Sequence, residues 1–195
     1  MTIETAISET VINETPTTIN GVDVDALQGV IDGVSEDASL AACQFRAKND
    51  WITCGHNRST IQGFYAGGGE DETRTTPFVL DNDEPPILAG SDKGANPVEY
   101  VLHALAGCVT TTLVYHAAVR GIEVRAVSSA LEGDLDIRGL LGVSDEVRKG
   151  FHHVRVVVRV DADAPAEELR TLCKFSPVYD IVSNSLPVDL VVEKL

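Results

Sequence analysis

Apolar residues after Asp23 recur at helical spacing, at Val24, Leu27, Val30/Ile31 and Val34, and Asp23 is suited to cap such a helix. A short docking helix is therefore expected within residues 21–40. Residues 1–20 carry Thr, Glu, Ile and Asn without periodicity or aromatics, and are expected to form a flexible arm. From 41 to 80 the pattern changes to that of a sheet. AACQFRAKNDWITC is strand-like, GHNRS has the composition of a turn, and TIQGFY suits a return strand. GGGEDE at 67–72 is expected to be a loop, Thr75 to Leu80 a third strand, and the turn-rich stretch 81–97 a long connection.

At Asn96 the periodicity becomes helical again. Asn96-Pro97-Val98-Glu99 places a capping side chain, a proline at the first helical position and a glutamate at the third. The helix should run to about Arg120 and stop at Gly121. It is apolar nearly all round, so burial on most faces is expected. Ala104, Ala106 and Gly107 would let a second helix approach closely. Residues 122–137 alternate as a long strand, 139–150 form an excursion, and His153 to Asp161 is a period-2 strand. A helix over Pro165 to Cys173, a short one from Pro177, and a closing strand over Val188 to Val192 complete the chain. The order βββ-α-ββ-α-β around one buried helix is α+β rather than a doubly wound parallel sheet. Residues 21–195 are read as one domain, with an N-terminal sheet (41–80), a central helix (96–121) and a C-terminal half (122–195).

Composition narrows the functions open to such a domain. The 195 residues are 44% hydrophobic and 23% charged, ordinary for a globular protein, but the net charge is −15. Phosphates would be repelled, so no nucleic-acid or anionic-membrane partner is expected. The stretch Pro97 to Ala118 carries Glu99, two histidines and three successive threonines, which argues against a membrane span. The first basic residue is Arg46, so no charged leader precedes an apolar run, and a cytoplasmic location is expected. Four cysteines without a CxxC are too few for a disulfide scaffold and read as cytosolic thiols.

Those thiols are the candidate chemistry. Cys108 lies about three turns into the central helix, beyond reach of the helix dipole, so a reactive thiolate there needs a cation from elsewhere in the fold. Without one it is a small buried hydrophobe. Cys173, at the end of the second helix, is more accessible. Cys54 and His56 share one side of a strand, and Cys43 could face them, but zinc needs four ligands, so no metal is expected, nor any cofactor. His103 and His116 suit hydrogen-bonded core positions, and His116 is too far along the helix to pair with Cys108. Thr111 and Thr112 could donate to the Cys108 sulfur or back to the helix. The GGGED loop lacks the Lys-Ser/Thr of a phosphate-binding loop.

The stretch NPVEYVLHALAGC (96–108), followed by CKFSPVYDIVSNSLPV (173–188), resembles the OsmC/Ohr family. GHNRSTI (55–61) and RTTPFVLDNDEPPIL resemble its longer members with an N-terminal extension. The likeness covers about residues 40–195. It implies an intertwined homodimer in which antiparallel-rich sheets from both chains wrap two long central helices. It implies a thiol peroxidase in which Cys108 attacks an organic hydroperoxide and Cys173 resolves the sulfenic acid as a disulfide. An arginine of the first hairpin, with Arg58 the best match and Arg46 second, would stabilise the thiolate. The reductant would be a dithiol, notably a dihydrolipoyl protein. In the hydroperoxide reductases a glutamate directly follows the motif proline. Here that position is Val98 and the glutamate is Glu99, a candidate site residue whose place on the helix, about 180° from Cys108, suits a cap better. The alternative implied by this offset is a small-ligand-binding protein on the same fold, and the unmatched arm at 1–20 invites a further one, a redox-sensing protein.

Overall fold

A computed structural model describes residues 17–184 and 186–194. Most of the expected arm (1–16) lies outside the described residues. The end of that arm is anchored. Strands β1 (Thr18–Ile19) and β2 (Val22–Asp23) form a hairpin through Asn20-Gly21, whose φ angles of 56° and 76° suit an Asn-Gly turn. The Asn20 amide donates to the Ile122 carbonyl (2.9 Å), and its oxygen accepts from the Val124 N–H (2.8 Å). Helix α1 (Val24–Glu36) follows, with Asp23 accepting from the Ala26 N–H. Val24, Leu27 and Val34 are half-buried, while Val30 stays exposed.

The N-terminal sheet region departs from the sequence expectation in two places. GHNRS is strand, not turn: β4 (Lys48–Thr53) and β5 (His56–Ile61) are joined by Cys54-Gly55 alone. Cys54 takes the left-handed conformation (φ 50°), and the Trp51 indole N–H donates to its carbonyl. GGGEDE is a second hairpin, not a loop. Gly67 and Gly68 (φ 59° and 85°) turn β6 (Phe64–Ala66) into β7 (Gly69–Asp71). Positive φ at both positions is what a two-residue hairpin requires and what glycine supplies at no steric cost. With β3 (Gln44–Phe45) and β8 (Phe78–Asn82) the result is two antiparallel three-stranded sheets, β3-β6-β7 and β4-β5-β8.

The connection after β8 is held by the buried Asp83, whose carboxylate accepts from the Glu84, Ser91 and Lys93 N–H groups. It delivers the chain to helix α2 (Pro97–Val119), where the expected capping box is complete: Val98 N–H donates to Asn96, and Asn96 N–H donates to Glu99. Gly121 at φ 71° ends the helix.

Strands β9 (Val124–Asp134) and β10 (His153–Ala162) form an antiparallel ribbon, with helical turn α3 (Ile137–Leu140) in the excursion between them. Helices α4 (Ala166–Cys173) and α5 (Pro177–Ser183) then pack on α2. The core is Leu113 and Ala117 of α2 against Leu169 and Leu172 of α4, edged by Val127 and Val160. The molecule is thus α+β, as the sequence indicates. The closing strand over Val188 to Val192 is not formed. This segment pairs with no strand among the described residues, and Val188, Leu190 and Val192 are each at least 80% exposed. Its apolar pattern suits a ladder, yet it pairs with none of the described sheet edges.

Candidate functional site

Helix α2 has two unlike faces. Leu105, Val109, Leu113 and Ala117 recur every four residues and are buried against β9, α4 and α5. At ~100° per residue, Cys108 lies about 120° round from the middle of that stripe. It shares its face with Val101, Ala104, Thr111 and Tyr115, all exposed, and is itself half-buried. The expectation of burial on most faces therefore fails within one chain. The core takes one stripe, and Cys108 stands on the other side.

Cys173 is half-buried at the end of α4, packed on the α2–α4 core. Burial pushes its thiol up, and a backbone hydrogen bond only partly offsets this. It opens onto a cavity of about 640 Å³ walled by Val109 and Leu113 of α2, Val158 of β10 and Tyr179 of α5. Cys108 is not part of this wall.

The other candidates are engaged elsewhere. Arg58 faces Asp81 across the β5–β8 ladder, its Nε and one terminal nitrogen donating to the two carboxylate oxygens (2.8 and 3.2 Å). His56 meets the same carboxylate at 3.0 Å. Arg58, then His56, hold the Asp81 carboxyl below the usual range. The Tyr100 hydroxyl donates to the Asp81 carbonyl, tying β8 to the first turn of α2. Arg46 forks onto Glu70 and Gln44. Glu99 is a cap, its carboxylate taken by Asn96 N–H. His116 stacks on Phe175 (4.4 Å between centroids) and meets Arg120 at 3.1 Å. Burial, then the Arg120 charge, hold its pKa low. His103 sits edge-on to Tyr100. The Cys54 thiol donates to the Ala89 carbonyl, away from His56, and among the described residues no three His, Cys, Asp or Glu gather to hold a metal.

Asp81 and Tyr179 were not singled out in the sequence. Asp81 becomes legible only through the β5–β8 register, which sets it opposite Arg58. Tyr179 becomes legible only when α5 packs on α2 and brings it to the cavity that Cys173 borders.

Residues 90–191, just over half of the chain, match the family model of the OsmC-like protein. The chain belongs to the OsmC-like family. Both Cys108 and Cys173 fall inside the matched stretch, and Arg58 with Asp81 lies ahead of it. No curated protein matches the OsmC-like chain. Among solved structures, an OsmC-like protein from Mycoplasma pneumoniae superposes with a TM-score of 0.54 at 14% identity, covering 73% of this chain and 89% of that one. An OsmC-like protein of unknown function from Vibrio cholerae gives a TM-score of 0.49 at 13% identity, covering 77% and 97%. An organic hydroperoxide resistance protein OsmC from Legionella pneumophila gives 0.45 at 20% identity, covering 71% and 88%. The first of these supports the fold, and none at such identity carries an activity.

Proposed function

We propose that this OsmC-like chain is a cysteine peroxidase that reduces organic hydroperoxides. The observation that supports it is the pair of half-buried thiols within the family region, on two helices packed together, one of them bordering an apolar cavity. In the proposed cycle the Cys108 thiolate attacks the distal oxygen of ROOH. The S–O bond forms, the O–O bond breaks, and the alkoxide leaves as ROH after taking a proton. The Cys173 sulfur then attacks the sulfenic acid, the S–S bond forms and water leaves. A dithiol or a lipoylated protein returns the disulfide to two thiols and is itself oxidised. The raised Cys173 pKa disfavours it as the first nucleophile, which leaves that role to Cys108.

Arg58 is the proposed cation for the thiolate. Asp81 occupies its Nε and one terminal nitrogen, and the second terminal nitrogen keeps its N–H donors. The working form is a homodimer in the cytoplasm, with the exposed Cys108 face of α2 against a second copy. That face carries the small residues Ala104 and Gly107, and a Cβ built on Gly107 meets nothing within 4 Å. A second reading, small-ligand binding without turnover, is favoured by Val98 standing where the reductases carry glutamate.

The test is a steady-state assay with cumene hydroperoxide and dihydrolipoamide, wild type beside Cys108→Ser. Turnover that vanishes in the variant is expected. Equal consumption by both proteins, or none by either while Cys108 remains titratable, would overturn the peroxidase reading.

A further inference from the structure

The last turn of α2 and the junction between α4 and α5 meet through two rings. The His116 imidazole stacks on Phe175, with 4.4 Å between centroids and 22° between planes. At ~100° per residue His116 lies about 80° round from Cys108, at the edge of the buried stripe, and its cover comes from its own chain. One terminal nitrogen of Arg120 lies 3.1 Å from His116 Nδ1 and donates to the His116 carbonyl at 2.9 Å. A guanidinium can only donate, so Nδ1 accepts. The ring is therefore neutral and carries its proton on Nε2.

No carboxylate stands ready to take an imidazolium here. Among the described residues no Asp or Glu of α1, β9, α4 or α5, the elements packed on α2, bonds to His116, and Arg120 is the charge that acts on it. Phe175 brings no charge, and Lys174 beside it lies near Glu167. The helix C-terminus and the ring face would both favour a cation. Burial and the Arg120 charge outweigh them, and the His116 pKa falls below 6.5.

Phe175 lies two residues beyond Cys173, in a stretch tied by its own backbone. The Lys174, Phe175 and Ser176 N–H groups donate to the Thr171, Leu172 and Cys173 carbonyls. Ser176 is buried and caps α5 through the Tyr179 N–H. Leu169 and Leu172 anchor α4 in the core before Cys173. Beyond it, Phe175 rests on a ring of α2 that can take a proton.

We propose that His116 is a positioning residue for Cys173: stacked and neutral, it holds the α4–α5 junction on α2, and once protonated it releases the junction and exposes the thiol. Protonation turns Nδ1 from acceptor to donor, facing a guanidinium that cannot accept. The folded pKa lies below the unfolded one, so the contribution of the stack is full above about pH 6.5 and is lost as pH falls through the folded value. This rests on the peroxidase reading for its purpose, since Cys173 is the resolving thiol there, and makes the exposure of that thiol respond to acid.

The test is pulse labelling of the full, reduced chain with N-ethylmaleimide from pH 8 to pH 5, each cysteine peptide quantified by mass spectrometry. Cys43, an exposed thiol of the same chain, is the internal reference. In wild type the ratio of Cys173 to Cys43 labelling is expected to rise about threefold or more below pH 6.5. His116→Phe keeps a stacking ring that takes no proton, and its ratio should stay at the wild-type pH 8 value throughout. His116→Ala should show a raised ratio at every pH. A flat wild-type profile, the same acid rise in His116→Phe, or a His116→Ala ratio equal to wild type at pH 8 would each overturn the proposal, and the first two do not require His116→Ala to fold. Labelling needs no hydroperoxide, so its outcome is separate from that of the peroxidase assay.

Discussion

A cysteine in mid-helix inherits nothing from its own element to lower its pKa, so its reactivity must be conferred by neighbours. In Cys173→Ser, one equivalent of hydroperoxide should still be consumed. The sulfenic acid should then persist on Cys108 and be trapped by dimedone, as mass spectrometry of the adduct would show. Asn96→Ala should cost about 1 kcal/mol of stability through loss of the cap, read from denaturant melts, with Cys108 labelling rates unchanged. Capping was legible in the sequence because it is local: Asn96, Val98 and Glu99 lie within one turn. The Arg58–Asp81 pair was not, because 23 residues separate its members and only strand register brings them together. The sequence offered Arg58 as a free cation, whereas the fold shows it already shared with a carboxylate and a histidine.

Among elements, the helices were read well and the hairpins less so, for a physical reason. A helix carries its caps and its period within itself. The strand-or-turn choice in GHNRS depends on neighbours on both sides, and β5 is the central strand of its sheet, its polar residues satisfied by β4 and β8. The connection after β8 is equally constrained. A Cβ on Gly90 would lie 1.7 Å from the Glu84 carbonyl oxygen, with no flexible side chain to yield. Gly90→Ala should therefore lower the melting temperature markedly, while Gly29→Ala on exposed α1, where a Cβ meets nothing, should raise it slightly.

The α3 turn carries a pH signature. Hydrogen bonds from the Arg138 side chain and N–H hold the Asp136 carboxyl down from 3.8 to about 2. A depressed carboxyl stabilises the fold above its unfolded pKa and loses that contribution as pH falls through the folded one. The contribution of Asp136 is therefore complete above about pH 4 and fades toward pH 2. Asp136→Asn should flatten this part of the stability–pH curve in acid titrations followed by circular dichroism.

At the scale of the whole molecule, apolar surfaces that remain open among the described residues include the Cys108 face of α2 and the segment from Leu186 to Val192. The sequence pattern correctly marked both as apolar, but an apolar pattern alone does not say whether the same chain covers it. If a second copy covers α2, Tyr115→Glu should convert a dimer into a monomer by light scattering coupled to gel filtration, without loss of helicity.

The start of the described chain has a different bearing on the whole. A single side chain, Asn20, bridges to Ile122 and Val124 with one donor and one acceptor. Asparagine followed by glycine is the pair most prone to deamidate as a protein ages. Conversion to aspartate would replace the donating amide by an oxygen set against the Ile122 carbonyl. Storage should therefore loosen this molecule from its N-terminal hairpin first, with peptide mapping of Asp at position 20 rising in step with amide exchange at Val124.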